Sequence, residues 1–390
     1  MLTFDTHVQD KEAGECLRLC HMAEDGCVFL DIETTGFRPA SSHLYMIGAA
    51  FCVSGREGIW KIRQWLGERP QEEAALLRVL SQFLRPYRSL IHFNGERFDL
   101  PYLEEKYEQY AIESPLKDLA STDIYREIRP LKKLLEAVSA SQKAWEGFLG
   151  MTREDRYDGG QLIRVYRDYV KTGREELAGL LCTHNREDVQ GMLALMRLYA
   201  YPAAFGRTDY PVLSAQRRMT SCDGESSCAF GHFEICYRLL RRVPVPLRLE
   251  WHPGQERAGA DQVRLILEGE QGRLLIPAAS GSMRYYFPDY RNYYYLPQED
   301  MAVHKSVAAF VNREYRTRAT KDTCYIKKEG EFLLQPPLPV PACEPVLRRS
   351  LQDPSLWYSP QEDPAEDLSR TGELLRLWLP FLWEHARRIH

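Results

Sequence analysis

The chain has 390 residues, 44% of them hydrophobic and 27% charged, with 51 Lys and Arg against 55 Asp and Glu. At roughly 150 residues per domain this length predicts two domains, and the apolar share supports a buried core, which excludes general disorder. The longest uncharged apolar stretch, 44–53, is about half of the roughly 20 residues a membrane helix needs, so no membrane partner is expected.

The first 25 residues are polar and read as an N-terminal lead-in, either a short helix or a mobile segment. They carry acid and no basic n-region, unlike a secretory signal, so a cytoplasmic chain is expected. The ten scattered cysteines then read as reduced thiols and not as a disulfide frame. Residues 27–33 form a buried strand pattern that ends in charge. Residues 44–53 and 58–65 read as two further strands. Residues 71–87 place Ala75, Leu76, Val79, Leu80, Phe83 and Leu84 at helical spacing. A fourth strand is predicted over 89–93 and a helix over 99–110. After Asp123 the chain reads as helical to about residue 200, with glycine breaks at 147, 150 and 159–160. Alternating strands and helices, then helices, predict an α/β domain over 26–202 with a mixed sheet.

From about residue 205 the texture changes. Residues 205–335 read as a mainly β accessory domain with one helix over 302–315. A proline-rich connector, 336–345, leads into a C-terminal helix over 372–388, and together they make a tail over 336–390. The apolar stripe of that helix, Leu374, Leu375, Trp378, Phe381 and Leu382, is expected to pack on the chain itself, although Pro380 should bend it. Charge is uneven. Residues 1–204 hold 26 basic and 31 acidic side chains, and residues 205–345 hold 19 and 17. An acidic front half suits a site of carboxylates that bind cations.

Three segments carry the chemistry. In VFLDIETTG, Asp31 and Glu33 stand two apart on a strand and project from the same face. Such a pair repels itself unless a cation neutralises it. In HFNGERFDLPYLEEKY, Asp99 stands where a helix begins. In THNREDVQGMLALM, Asp188 opens an apolar helix, with His184 four residues before it. Alone, Asp99 and Asp188 are ordinary helix-start acids. Together, four carboxylates at strand ends and helix starts can converge on one point. Hard divalent cations, Mg²⁺ or Mn²⁺, take oxygen ligands and would gather them. Two such ions activate a water and stabilise the leaving oxygen in phosphodiester cleavage, and a nearby histidine can take the proton.

The order DxE, NGxxFDxP, HNxxDV resembles the DEDD (DnaQ-like) 3′–5′ exonucleases of the ribonuclease H-like fold, and more narrowly the YprB-type ribonuclease H-like domain. The linking segment is similar too, through Asp123-Ile124-Tyr125, Gln142-Lys143, Leu149-Gly150, Arg153-Glu154-Asp155, Gly159-Gly160, Val165-Tyr166 and Tyr169. The resemblance spans about residues 26–202. It implies that Asp31, Glu33, Asp99 and Asp188 hold two divalent metals and that His184 is the fifth catalytic residue. His184 departs from the wider pattern: histidine usually stands five before the last acid, and four is the tyrosine spacing. Asn94 and Phe98 are expected to shape the loop, and Asp123 is expected to be structural.

The leading expectation is a metal-dependent 3′–5′ exonuclease acting on single-stranded DNA or RNA. An endonuclease with the same site, a binding module that does not cut, and a small-molecule phosphodiesterase are the rivals. The accessory domain offers MRYYFPDYRNYYY (283–295) and, over 312–328, six basic residues against two acids. Arg313, Arg316, Arg318 and Lys321 are the expected phosphate contacts there, against the alternative that the aromatics simply fill a small β core. Cys16, Cys20, His21 and Cys27, and the pair Cys222 and Cys228, match no zinc spacing. Arg238, Arg241, Arg242 and Arg248 read as a solvated face.

Overall fold

The structure is a computed structural model describing residues 1–54, 57–206, 209–220, 229–254 and 261–388. The chain folds as two units that meet in sequence between Ala203 and Ala204. The first contains, in chain order, β1 (Leu2–Gln9), α1 (Lys11–Leu19), β2 (Cys27–Thr34), β3 (Leu44–Ser54), β4 (Ile59–Leu66), α2 (Glu73–Leu84), β5 (Ser89–His92), α3 (Asp99–Gln109), β6 (Ala120–Asp123), α4 (Ile124–Ile128), α5 (Leu131–Leu134), α6 (Gln142–Phe148), α7 (Gly159–Thr172) and α8 (Glu175–Leu195). A further helix, α9 (Ala200–Phe205), follows.

Six strands form one sheet in the order β1-β4-β3-β2-β5-β6. β2, β5 and β6 run parallel, while β1, β4, β3 and β2 pair antiparallel. The period of two along β2 divides its residues between two layers. Val28, Leu30 and Ile32 pack in one core with Leu76, Leu77 and Leu80 of α2 and Tyr102, Leu103 and Tyr107 of α3. The other face carries a second core, in which Tyr45, Met46 and Leu66 meet Leu162, Tyr166 and Tyr169 of α7 and Ala178 and Leu181 of α8. Asp31 and Glu33 alternate with Leu30 and Ile32 and therefore stand on the α8 side.

Three local readings change. Residues 1–25, read as a short helix or a mobile lead-in, hold α1 and also β1, which pairs with β4 from Leu2↔Leu66 to Gln9↔Ile59 and extends the sheet. Gly159 and Gly160, read as a break, begin α7, because Asp158 and Gln161 close a reciprocal capping box there. Asp188, read as opening an apolar helix, lies in the interior of α8. That helix begins at Glu175, with Glu175 and Glu176 in its first turn where acids favour the N-terminus.

The second unit contains β7 (Val212–Thr220), β8 (Ala229–Trp251), β9 (Val263–Tyr286), β10 (Tyr293–Leu296), β11 (Met301–His304), α10 (Lys305–Ala308), β12 (Thr317–Arg318), β13 (Tyr325–Gln335), β14 (Leu356–Tyr358) and α11 (Leu368–Arg388). A five-stranded antiparallel sheet runs β14-β13-β9-β8-β7, and a three-stranded one runs β11-β10-β12. Phe233, Ile235 and Tyr237 of β8 and Leu265, Leu267, Leu274 and Ile276 of β9 are buried. The helix α11 packs on β7 and β8. Its Trp378 is fully buried, with its ring 5.5 Å from that of Trp251.

The helix expected over 302–315 does not form. Met301–His304 pair with β10 as a strand, and a four-residue helix and a turn over Arg313–Tyr315 follow. Only Ala308 of α10 is buried, while Val307 and Phe310 are exposed. Without an apolar face to bury, the segment cannot sustain a longer helix. No helix among the described residues is long and apolar enough to cross a membrane.

Candidate active site

Two residues at the end of β2 and three on α8 build the centre of the site. Asp31 pairs across the sheet with Gly48, and Asn185 of α8 occupies the space a side chain at 48 would fill: a Cβ on Gly48 would lie 2.1 Å from Asn185 Oδ1. The helix therefore comes down directly onto the strand pair. Asn185 Nδ2 donates to Asp31 Oδ2 at 2.8 Å, and Gln64 Nε2 donates to Asn185 Oδ1 at 2.8 Å and to the Cys182 carbonyl at 2.9 Å. This chain orients the Asp31 carboxylate toward the rest of the cluster.

On the same helix, His184 and Asp188 are one turn apart. His184 Nε2 lies 3.1 Å from Asp188 Oδ2 and 3.4 Å from Glu33 Oε1. Ligand atoms of Glu33, His184 and Asp188 all fall within 4.8 Å of one another, the one such group of metal-ligating side chains among the described residues. Asp31 and Asp99 stand beside that group. Asp99 is the first residue of α3.

The acids perturb one another. Burial, then the charges of Asp188, Glu33 and Asp99, push the Asp31 carboxyl well above the ordinary range. Burial also pushes Glu33 up to about 7, with His184 opposing and Asp188 and Asp99 adding. Asp99 rises to about 7 through burial, which outweighs its backbone hydrogen bonds, with Asp123 and Asp188 adding. Burial works against charge on His184, but Asp188, Glu33 and Asp155 outweigh it and hold the imidazole up to about 9. Asp188 is the exception among the acids: despite burial, His184 and Arg153 lower it.

Four residues to which the sequence assigned no separate role take part. Arg153 donates through Nε and Nη2 to Glu146 at 2.5 and 2.6 Å, and its Nη2 lies 2.6 Å from Asp188 Oδ1. Gln142 Nε2 donates to the Asp188 carbonyl at 2.7 Å. Asp155 Oδ2 lies 2.7 Å from His184 Nδ1. Asn185 is the fourth. Arg153 and Asp155 stand in a charged stretch between α6 and α7 that looks like a solvated loop, and nothing in the spacing announces that their side chains are only 10% and 1% exposed. A tight fit at Gly191, where a Cβ would lie 1.8 Å from Glu146 Oε1, brings Glu146 against α8.

The loop after β5 has a supporting role. Asn94 takes a left-handed backbone conformation (φ 60°), and its N–H donates to Asp123 Oδ1 at 2.7 Å. The same oxygen accepts from the Tyr125 N–H at 3.0 Å as the cap of α4. Asp123 thus braces the loop that delivers Asp99. Phe98, just before Asp99, makes an edge contact with the exposed ring of Phe37 at 5.8 Å.

In the second unit, Arg316 and Arg318 both lie over the ring of Tyr294, at 5.0 and 5.9 Å. Arg316 also donates to the Ala308 carbonyl. Arg313 and Lys321 are exposed on the flanking turns. The aromatics of this region are half-buried: Phe287, Tyr290, Tyr293 and Tyr295 pack against the small core of Ala302, Ala319 and Cys324. Arg238, Arg242 and Arg248 are exposed on β8. Among the cysteines, Cys16 and Cys27 are buried and Cys20 half-buried, and burial pushes the Cys20 thiol up to about 12. Cys222 and Cys228 lie outside the described residues.

Residues 28–200 match the RNase_H_2 family of the RNase H superfamily. No curated protein matches the chain. Among solved structures, the family B DNA polymerase of the hyperthermophilic archaeon Pyrobaculum calidifontis is similar at 14% identity and a TM-score of 0.37, over 46% of this chain and 26% of that one. Product-bound exonuclease I is similar at 14% identity and a TM-score of 0.31, over 62% and 58%. Apo exonuclease I is similar at 13% identity and a TM-score of 0.32, over 55% and 56%. The chain thus spans about a quarter of the polymerase and just over half of exonuclease I.

Proposed function

Since residues 28–200 form a ribonuclease H superfamily domain, we propose that this chain is a metal-dependent nuclease, a 3′–5′ exonuclease that hydrolyses phosphodiester bonds of single-stranded DNA or RNA. The observation that supports the reading is the cluster of Glu33, His184 and Asp188 inside the matched segment, with Asp31 and Asp99 close enough to take part in the same electrostatic network. The 3′–5′ direction and the single-strand preference rest on the resemblance of the three motifs.

The donor set fits hard divalent cations. It is dominated by carboxylate oxygens, the ligands Mg²⁺ and Mn²⁺ prefer, and three of the carboxyls are driven upward by burial and by one another. Positive charge at their centre relieves that repulsion. Asp31, Glu33, Asp99 and Asp188 would hold two such ions. Bound there, they would supply Lewis-acid activation of a water and of the phosphoryl group.

The chain's own residues then orient and move the proton. Asn185 and Gln64 fix Asp31, and Arg153 and Gln142 fix Asp188. His184 holds a proton when the acids around it are uncompensated, and neutralising Asp188 and Glu33 removes two of the three carboxylates that hold its pKa up, leaving Asp155 at Nδ1. The freed Nε2 takes a proton from the attacking water as the water oxygen bonds to phosphorus and the P–O bond to the leaving sugar oxygen breaks. In the second unit, Arg313, Arg316, Arg318 and Lys321, with the Tyr294 ring, grip the strand through phosphate contacts and stacking.

The test is a digestion series in Mn²⁺ and in Mg²⁺ on end-labelled single strands, double strands and circles. Metal-dependent loss of mononucleotides from linear single strands, with circles intact, is the expected result. Cutting of circles assigns the site to endonucleolytic cleavage, and no cleavage of any substrate removes the nuclease reading.

A further inference from the structure

We infer that Asp155 is a positioning residue, which holds His184 as the tautomer protonated at Nδ1 and aims Nε2 at Glu33 and Asp188. The inference rests on the nuclease reading of that site and adds a residue to it. Asp155 is placed by three elements. Its side chain is 1% exposed. Its Oδ1 accepts from the Tyr157 N–H at 3.0 Å, and its Oδ2 lies 3.1 Å from Lys143 Nζ of α6 and 2.7 Å from His184 Nδ1 of α8. Its backbone is fixed as well: the N–H groups of Glu154 and Asp155 donate to the two oxygens of Glu187 at 2.9 and 3.1 Å.

An ionised carboxylate only accepts, so Nδ1, which faces Asp155, carries an N–H. Nε2 is turned to the acid cluster, 3.1 and 3.4 Å from its two carboxylates; it carries a proton too while those acids are uncompensated, and the Nδ1–H tautomer is the one left once cations occupy them. A histidine without such a partner can populate either tautomer, and only one of them offers a lone pair to the cluster. The anchor also accounts for the unusual spacing. Four residues before Asp188, His184 lies directly over it on the helix, where rotation of the ring alone would point either nitrogen at the acids. The loop 151–158 removes that freedom from outside the helix.

The experiment uses the full chain saturated with Mg²⁺ and single-strand digestion kinetics for Asp155→Ala, His184→Ala and the double variant. Asp155→Ala is expected to lower kcat about 10–100-fold, the usual loss when the group behind a functional histidine is removed, with KM unchanged. Because Asp155 acts through His184, the double variant should be no slower than His184→Ala. Additive losses, or a loss confined to KM, would overturn the inference. Long-range ¹H–¹⁵N spectra of the same Mg²⁺-saturated protein at neutral pH read the tautomer without turnover. The wild type should show His184 protonated at Nδ1, and Asp155→Ala should show both tautomers; Nε2–H in the wild type rejects the inference. If the wild type cuts nothing, the nuclease reading falls, while the spectra still decide whether Asp155 places the ring.

Discussion

Gly48 shows how much of the site depends on one missing side chain. Its Cβ would overlap Asn185 Oδ1, so Gly48→Ala must push α8 away from β3 or turn Asn185 off Asp31. We expect about 1–3 kcal/mol of destabilisation, as for other overpacked interiors, read by urea denaturation, together with loss of cleavage. Unchanged stability would mean that the helix has slack there. The acids give a second prediction. The folded pKa values of Glu33 and Asp99 lie near 7, above their ordinary 4.5 and 3.8, and Asp31 is raised too. A group whose pKa rises on folding stabilises the fold below its unfolded value and loses that contribution as pH climbs through the folded one. His184, raised to about 9, acts in the same direction at higher pH. In a chelator the melting temperature should therefore fall between about pH 5 and about pH 8. If Mn²⁺ binds only the folded cluster, it should raise the melting temperature most at the upper end. Asp31→Asn/Asp188→Asn should lose most of that metal response and all cleavage, and an intact response would show that the ions bind elsewhere. Asp31 and Glu33 are visible in sequence because the strand period fixes their direction, and Asp99 because it begins a helix; Asp188, inside α8 and not at its start, is visible only as an acid one turn after His184. Asp155 and Arg153 are not, since a charged triplet in a loop carries no mark of burial until α8 is packed against it.

Elements were legible where an apolar pattern had one solution. The strands over 27–33, 44–53, 58–65 and 89–93 and the helices over 71–87 and 99–110 follow from runs that are too short, or too regularly spaced, for the alternative. The polar residues 2–9 defeat the same reading: as an edge strand, β1 is held by its ladder with β4 more than by buried side chains, and its Phe4 is 37% exposed. At α8 the apolar run begins well after the helix does, because the stretch before it packs through a single face around Ala178, Leu181 and His184. The segment 302–315 failed in the opposite sense, with helix-forming composition but strand partners waiting at Tyr293–Leu296. The stripe on α11 was read correctly as an internal face. Trp378 is its centre, fully buried between Trp251 and Phe381. Trp378→Ala should cost the second unit about 3–5 kcal/mol, the range for a buried aromatic replaced by alanine, measured by circular dichroism during urea denaturation of the full chain. A loss below about 1 kcal/mol would show that the neighbouring Leu374, Leu375, Leu379 and Leu382 hold the helix without it.

For the molecule as a whole, the distribution of charge raises the question of where a polyanionic strand is held. Residues 1–204 carry 26 basic and 31 acidic groups, a net −5. Two divalent cations would leave that half near −1, too little to grip a strand through its net field. Residues 205–345 carry 19 basic and 17 acidic groups, a net +2, and there Arg316 and Arg318 flank Tyr294. Arg316 is a poor site for a charge test, because its guanidinium also donates to the Ala308 carbonyl and its removal would disturb the fold of α10. Arg313, Arg318 and Lys321 are exposed, so Arg313→Ala/Arg318→Ala/Lys321→Ala removes positive charge with little structural cost. Each phosphate contact on a single strand contributes about 0.7 to the slope of log K against log salt. If all three contact phosphates, the triple variant should bind long single strands more weakly and with a slope shallower by about 2. Cleavage of a dinucleotide, which has a single phosphodiester to offer, should survive. Equal loss on long and minimal substrates would mean that the second unit supports the protein and not the strand, and an unaltered salt slope would make these three residues a solvated face.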